Sequence, residues 1–167
     1  ARLAAIAYYP DLGYVGGMAV DGQMAYIAHR TDGMRLLSID QHGELTVVGR
    51  YPSTLIHKIV VAHGYAYLAL GAQGIAVVDV SDPTAPHFVS RYDTPGVARD
   101  LTVQWPYLLV ADGVGGLRVL DLTNLTQLVE VTSYVSCGGA SQVASANGGV
   151  YVTQPLGGLW LFTLTTP

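Results

Sequence analysis

The sequence predicts an all-β fold, a four-bladed β-propeller of four-stranded antiparallel blades, and three observations lead to this prediction. A module of about 42 residues recurs four times along the 167 residues. Each copy contains strand-length apolar runs separated by Gly, Asp, Asn and Pro turns, which is typical of an antiparallel meander. No helical periodicity extends over more than about ten residues. Four antiparallel strands in a repeat of roughly 40 residues is the pattern of a propeller blade.

The repeat is clearest in the second and third strands of each copy. These segments begin, at spacings of 41, 42 and 42 residues, at Met24, Tyr65, Tyr107 and Gly149. In the third copy the pattern predicts strands at residues 101–104, 107–111, 117–122 and about 128–134. A glycine comes directly before the third strand of every copy, and a tight turn there requires a positive φ angle, which glycine adopts readily. These glycines are Gly33, Gly74, Gly116 and Gly158.

The two ends of the chain together make up the fourth copy. Residues 142–167 supply three strands and residues 1–16 supply the fourth, and together they contain 42 residues. The closing strand consists of Leu3, Ala4, Ala5, Ile6, Ala7, Tyr8 and Tyr9. We therefore expect one propeller domain over residues 1–167. Its blades comprise approximately residues 17–57, 58–99, 100–141 and 142–167 with 1–16.

The closing strand has two possible destinations. If it pairs within its own chain, the result is a four-bladed ring. If it pairs with another chain, the result is a dimeric eight-bladed ring or an open polymer. Both arrangements cover strand edges that would otherwise promote aggregation, and the sequence leaves the choice open.

One stretch of the repeat resembles a known family. The segment AVVDVSDPTAPHFVSRYDTPGVARDLTV, from Ala76 to Val103, resembles the LVIVD repeat, and so does GVGGLRVLDLTN in the third copy. The third copy replaces the Asp-Pro turn of the pattern with Thr-Asn-Leu-Thr, and the first copy replaces it with Gln-His-Gly. The resemblance implies a β-propeller that is secreted or attached to a bacterial or archaeal cell surface, commonly without an assigned activity.

Composition excludes several kinds of partner. Charged residues make up 12% of the chain and the net charge is −4, so we expect no nucleic-acid partner, which would need a basic patch. No apolar run approaches the roughly 18–20 residues of a membrane span. The single cysteine, Cys137, cannot form a disulfide within the chain.

No catalytic or metal-binding pattern stands out. The five histidines occupy unrelated positions of the repeat, and His-x-His, HExxH and Cys-x-x-Cys spacings are absent, so we expect neither a metal site nor a cofactor. A G-x-S-x-G serine motif is absent as well. We therefore expect that the protein is not an enzyme.

Three groups of residues remain as candidate sites. The first lies at the start of the innermost strands, where it would line the central channel, and consists of Gly17, Lys58, Asp100 and Gln142. Lys58 and Asp100 either pair and plug the channel or hold an ion or small anion. The second group is a set of aromatic residues that would bind a glycan or peptide on one face of the ring: Tyr14, Tyr51 and Trp105. The third is the sequon that begins at Asn124, a possible glycosylation site.

These features favour a non-enzymatic extracellular protein with a structural or interaction role. The leading hypothesis is a self-associating subunit of a surface or filamentous assembly, whose partner is another copy joined by β-strand exchange. An alternative is a secreted binding module for a glycan or peptide on one ring face, with a glycan or a surface protein as its partner. A third hypothesis is a hydrolase with a site in the channel.

Overall fold

The computed structural model describes residues 5, 8–10, 15–29, 32–53, 55–155 and 157–164, which form fifteen strands in four antiparallel sheets. The first sheet contains β1 (Val15–Asp21), β2 (Met24–His29), β3 (Gly33–Ile39) and β4 (Leu45–Tyr51). The second contains β5 (Lys58–Ala62), β6 (Tyr65–Ala69), β7 (Ile75–Asp79) and β8 (His87–Tyr92). The third contains β9 (Asp100–Gln104), β10 (Tyr107–Ala111), β11 (Leu117–Asp121) and β12 (Val129–Tyr134). The fourth contains β13 (Gln142–Ala146), β14 (Gly149–Gln154) and β15 (Gly158–Thr163).

Each sheet is a meander in which consecutive strands are hydrogen-bonded neighbours. The first strands of successive blades, β1, β5, β9 and β13, lie beside one another, so we label the strands of each blade A to D from the inside outward. This architecture confirms the predicted all-β, four-bladed propeller. The strands of the third blade begin and end within one residue of their predicted positions.

Strands B and C form the buried middle of each complete blade. In β7 the side chains of Ile75, Ala76, Val77 and Val78 are all buried, although neighbouring residues of a strand point to opposite faces of the sheet. Both faces of the strand are therefore covered by adjacent blades, which explains why strand C is a nearly continuous apolar run.

Three apolar clusters hold the blades together, one at each junction between consecutive blades. The first joins blades 1 and 2, the second joins blades 2 and 3, and the third joins blades 3 and 4. No helix in the described part of the chain is long and apolar enough to span a bilayer.

The last blade has three strands among the described residues, which fits its completion by the N-terminal strand. Of the predicted closing strand, Leu3, Ala4, Ile6 and Ala7 lie outside the described residues. Its remaining members, Ala5, Tyr8 and Tyr9, are described.

Candidate functional site at the junction of the last and first blades

An apolar residue of strand A packs against the preceding blade at three of the four junctions. Ile59, Leu101 and Val143 are at most 6% exposed and belong to the three clusters between blades. Met18 has the same register in β1, where it pairs with Ile27 as Ile59 pairs with Leu68. Its side chain is nevertheless 68% exposed. In blades 2, 3 and 4 this face packs against the preceding blade. In blade 1 the same face is therefore exposed at Met18.

In blades 1, 2 and 3 the opposite face packs against the following blade, and in blade 4 this face is exposed. Leu159 and Leu161 in β15 are 65% and 60% exposed. Their counterparts in strand C of the other blades are at most 4% exposed: Met34, Ile75 and Leu117 for Leu159, and Leu36, Val77 and Val119 for Leu161. We refer to Met18 and Val20 of blade 1, together with Leu159 and Leu161 of blade 4, as the open junction.

The glycine at the start of strand C shows that no described residue occupies the strand D position of blade 4 beside Gly158. All four glycines have the predicted positive φ angle, between 73° and 85°. A Cβ atom on Gly33, Gly74 or Gly116 would lie 2.1–2.3 Å from the carbonyl oxygen of the tyrosine that ends strand D. A Cβ atom on Gly158 would meet no described atom within 4 Å. The outer edge of β15 therefore has no strand beside it at this point in the described structure.

Tyr9 lies against blade 1 instead of beside Gly158. Arg35 Nη1 of strand C in blade 1 donates a hydrogen bond to Tyr9 Oη at 3.3 Å. Equivalent tyrosines at the end of strand D approach the corresponding strand C position of the following blade. The ring of Tyr134 lies 5.7 Å from that of Trp160, and Tyr92 joins Arg118 through Glu130, to which both donate. Tyr9 therefore has the place of a strand D residue that precedes blade 1.

These contacts separate the two halves of the predicted fourth blade. The end of the N-terminal strand is on blade 1, whereas the β15 edge that it should complete is unpaired among the described residues. An unpaired edge with exposed leucines can accept a strand through main-chain hydrogen bonds and apolar contacts.

The structure brings together part of the predicted channel site. Lys58 Nζ lies 3.3 Å from Asp100 Oδ1, and Asp100 Oδ2 accepts a hydrogen bond of 3.0 Å from the backbone N–H of Val143. Gly17 lies beside the start of β5, whereas Gln142 is exposed. The carboxylate of Asp100 thus ties the inner strands of blades 2, 3 and 4 together, a structural role.

Tyr51 and Trp105, which were predicted to lie on one face of the ring, lie at opposite ends of their strands. Tyr51 ends strand D and pairs with Met34, which places it at the same end of the blade as the start of strand A. Trp105 follows the end of strand A in blade 3, at the opposite end of the strands. Tyr51 and Trp105 therefore lie on opposite faces, because strand direction alternates through the meander. Tyr14 lies outside the described residues.

A buried polar network between blades 2 and 3 was not predicted from the sequence. Asp112 is fully buried, accepts a hydrogen bond of 2.8 Å from the Gly96 N–H, and lies 3.6 Å from Arg118 Nε. Burial raises the pKa of Asp112, although the hydrogen bond from Gly96 and the charge of Arg118 act in the opposite direction. The signal available in the sequence was Arg118, a charged residue among the apolar residues of strand C in blade 3.

The sequon occupies an exposed turn that blade 2 also contains. Asn124 Oδ1 accepts hydrogen bonds from the N–H and the hydroxyl of Thr126 at 3.2 and 2.7 Å. Asp82 Oδ1 does the same for Thr84 at 2.9 and 2.6 Å. The asparagine thus stabilises the turn in the way an aspartate does. In the described ranges, no three His, Cys, Asp or Glu side chains are grouped so that they could hold a metal ion.

Comparison with known families agrees with the repeat. The family model of the LVIVD repeat matches residues 57–94 and residues 95–136. The chain contains two LVIVD repeats. A search of curated proteins finds no match to it.

Solved structures similar to this protein share its fold at low sequence identity. The computationally designed Ika4 protein is 10% identical, with a TM-score of 0.72 over 95% of this chain and 96% of that one. The computationally designed Ika8 protein is 11% identical, with a TM-score of 0.67 over 90% of this chain and 46% of that one. A structural genomics protein of unknown function from Bacteroides thetaiotaomicron VPI-5482 is 15% identical, with a TM-score of 0.68 over 90% and 41%. The chain therefore spans less than half of the latter two structures.

Proposed function

We propose that this protein is a non-enzymatic extracellular structural protein, a subunit of a surface assembly, that associates with itself by exchanging its N-terminal strand. In the proposed unit, two copies form an eight-bladed ring. The observation that carries the proposal is the open junction, because Met18, Leu159 and Leu161 are exposed at positions that every other junction buries.

The free position beside Gly158 supports exchange over closure within the chain. Tyr9 contacts Arg35 of blade 1, as a strand D residue does in either arrangement, but no described atom lies at the strand position beside Gly158. A second copy would bring its own N-terminal strand to that edge. The two copies would then complete each other's fourth blade.

The energetics favour a closed pair over a single contact. Burial of each large apolar side chain stabilises by about 1.5–3 kcal/mol. Association costs at least about 4 kcal/mol in lost translational and rotational freedom. A reciprocal pair forms two junctions for one such loss. A ring of eight blades also needs a smaller turn between neighbouring blades than a ring of four.

A cysteine pair tests where the N-terminal strand pairs. In blade 2, Val77 pairs with Ser90 two residues before the final tyrosine, and the corresponding pair in blade 4 is Leu161 with Ala7. Ala7→Cys with Leu161→Cys, in a Cys137→Ser background, should form a disulfide between two chains. Non-reducing electrophoresis should show a band at about twice 17.6 kDa, and light scattering should give the same mass for the unmodified protein.

The matched control places the cysteines within a complete blade. Val77→Cys with Ser90→Cys has the same register and should link only within one chain. If the Ala7 and Leu161 cysteines also link only within one chain, and the native mass remains near 17.6 kDa, the proposal of exchange is wrong and the strand closes a four-bladed ring.

A second candidate function is the binding of a glycan or peptide, and an exposed ring pair favours it. The ring centroids of Trp105 and His63 lie 4.7 Å apart at the end of the propeller that carries the A–B turns. Exposed aromatic rings of this kind can stack on apolar faces of ligands. Glycan-array binding that Trp105→Ala abolishes would support this function, and an array without binding would oppose it.

A further inference from the structure

A cavity of about 230 Å³ lies between blades 3 and 4, outside the open junction. It is lined by strands C and D of blade 3, by strands B and C of blade 4, and by the residue that follows strand C of blade 4. The apolar side chains that line it are Leu117, Val119, Val150, Phe162 and Leu164.

The same space between blades 2 and 3 is filled by a leucine. Leu128, directly before strand D of blade 3, is 8% exposed and packs in the cluster of that junction. The cluster contains the counterparts of the cavity lining: Ile75, Val77, Leu108, Leu120 and Leu122. Blade 2 has Pro86 at the position of Leu128, and Pro86 Cδ lies 3.4 Å from where a Cβ of Gly49 in blade 1 would be.

We propose that this cavity is the socket for the Leu3 side chain of a second copy, and that Leu3 anchors the exchanged strand. Leu3 precedes Tyr9 by six residues, as Leu128 precedes Tyr134. A strand added to β15 in the register of the other blades therefore brings Leu3 to the cavity. This inference rests on the proposed function, since it names the residue that secures the same exchange.

The cavity predicts a preference for a branched apolar side chain at position 3. A branched apolar side chain fills a space that Leu117, Val119 and Phe162 enclose, whereas a shorter or charged one leaves the space empty or buries an unpaired charge. Anchoring by one deeply buried side chain surrounded by weaker contacts is the usual distribution of energy in an interface.

Sedimentation equilibrium of full-length variants tests the socket. Leu3→Ala should raise the dimer dissociation constant at least about 30-fold, and Leu3→Met, which keeps the volume, should change it only a few-fold. Ala4→Ser is the matched control, because Ala4 corresponds to Val129, an exposed residue. Thermal unfolding of each variant at low concentration checks that the chain itself remains folded.

The outcomes separate this inference from the proposed function. If Leu3→Ala associates as tightly as the unmodified chain while the Ala7 and Leu161 cysteines still link two chains, exchange stands and the socket assignment is wrong. If neither association nor a link between chains occurs in any variant, both are wrong.

Discussion

Single glycines determine whether a strand can be added at the edge of a blade. At Gly74 and Gly116 the space of a Cβ is occupied by the backbone of strand D, so the glycine is required for the blade to be complete. At Gly158 the space is open in this structure, and the glycine becomes necessary only when a strand arrives.

We predict that Gly158→Ala leaves the chain folded but prevents association. The positive φ angle costs roughly 1–2 kcal/mol with alanine, and the new Cβ would collide with the carbonyl oxygen of an arriving Tyr9. Gly148→Ala is the control, since its φ angle of 76° imposes the same backbone cost in open space. Light scattering should find Gly158→Ala monomeric and Gly148→Ala associated. Equal association of the two variants would contradict the strand register.

Asp112 should make stability depend on pH. Because burial raises its pKa above the ordinary value of 3.8, the folded state binds the proton more tightly than the unfolded state. Ionisation therefore opposes folding as the pH rises from about 4 towards neutrality. The unfolding free energy of the native chain should fall relative to that of Asp112→Asn over this range. Urea unfolding of both chains at several pH values measures the difference.

An exposed carboxylate supplies the control with the opposite sign. A hydrogen bond from the Thr123 N–H lowers the pKa of Asp121, so the native chain should gain stability relative to Asp121→Asn as the pH rises from acid. A difference between the native chain and Asp112→Asn that does not change with pH would contradict the burial effect assigned to Asp112.

At the scale of the strands, the inner strands are joined by Asp100 more than by Lys58. We predict that Asp100→Ala lowers the unfolding free energy by about 1.5–3 kcal/mol, because the Val143 N–H loses a charged acceptor. Lys58→Ala should cost under about 1 kcal/mol, since the Lys58 side chain is 41% exposed and solvent weakens its ion pair with Asp100. Asp100→Asn, which keeps an acceptor, should resemble Lys58→Ala in urea unfolding. Equal losses for Asp100→Ala and Lys58→Ala would mean that the ion pair, not the Val143 contact, carries the effect.

The strands themselves are predictable because the repeat is regular. The glycine at the start of strand C recurs at the same offset in every copy, and the predicted strands of the third blade agree with the observed ones to within one residue. The faces of Tyr51 and Trp105 depend on a further feature, the alternation of strand direction, and for this reason the prediction that they share one surface is wrong. The Arg118 network depends on partners from two blades, which sequence separation does not reveal.

The open junction cannot be predicted either, for a different physical reason. Closure within a chain and exchange between chains use the same strand, the same register and the same apolar residues. A repeat sequence therefore encodes the contact without encoding which copy supplies each half. The two halves are distinguished only in the folded chain, by the exposure of Met18 and Leu161 and by the free space at Gly158.

At the scale of the whole molecule, reciprocal exchange predicts complementation between two defective chains. At every buried junction the counterparts of Met18 and Leu161 lie in one cluster, as Ile59 and Leu36 do between blades 1 and 2. Met18→Lys alone and Leu161→Asp alone should each be monomeric, because both junctions of the homodimer would bury an unpaired charge.

Mixing the two variants should restore the dimer. In the mixed pair, one junction has native Met18 opposite native Leu161, and the other has the introduced lysine opposite the introduced aspartate, which neutralise each other. Sedimentation velocity of each variant and of the equimolar mixture measures this, with a mixture of either variant and Val129→Asp, a change at an exposed site on strand D of blade 3, as the control. The control pair keeps one junction with an unpaired charge, so it should associate more weakly than the complementing pair. A mixture that sediments as the sum of two monomers would show that each chain closes on itself, because a junction formed within one chain cannot be repaired by another.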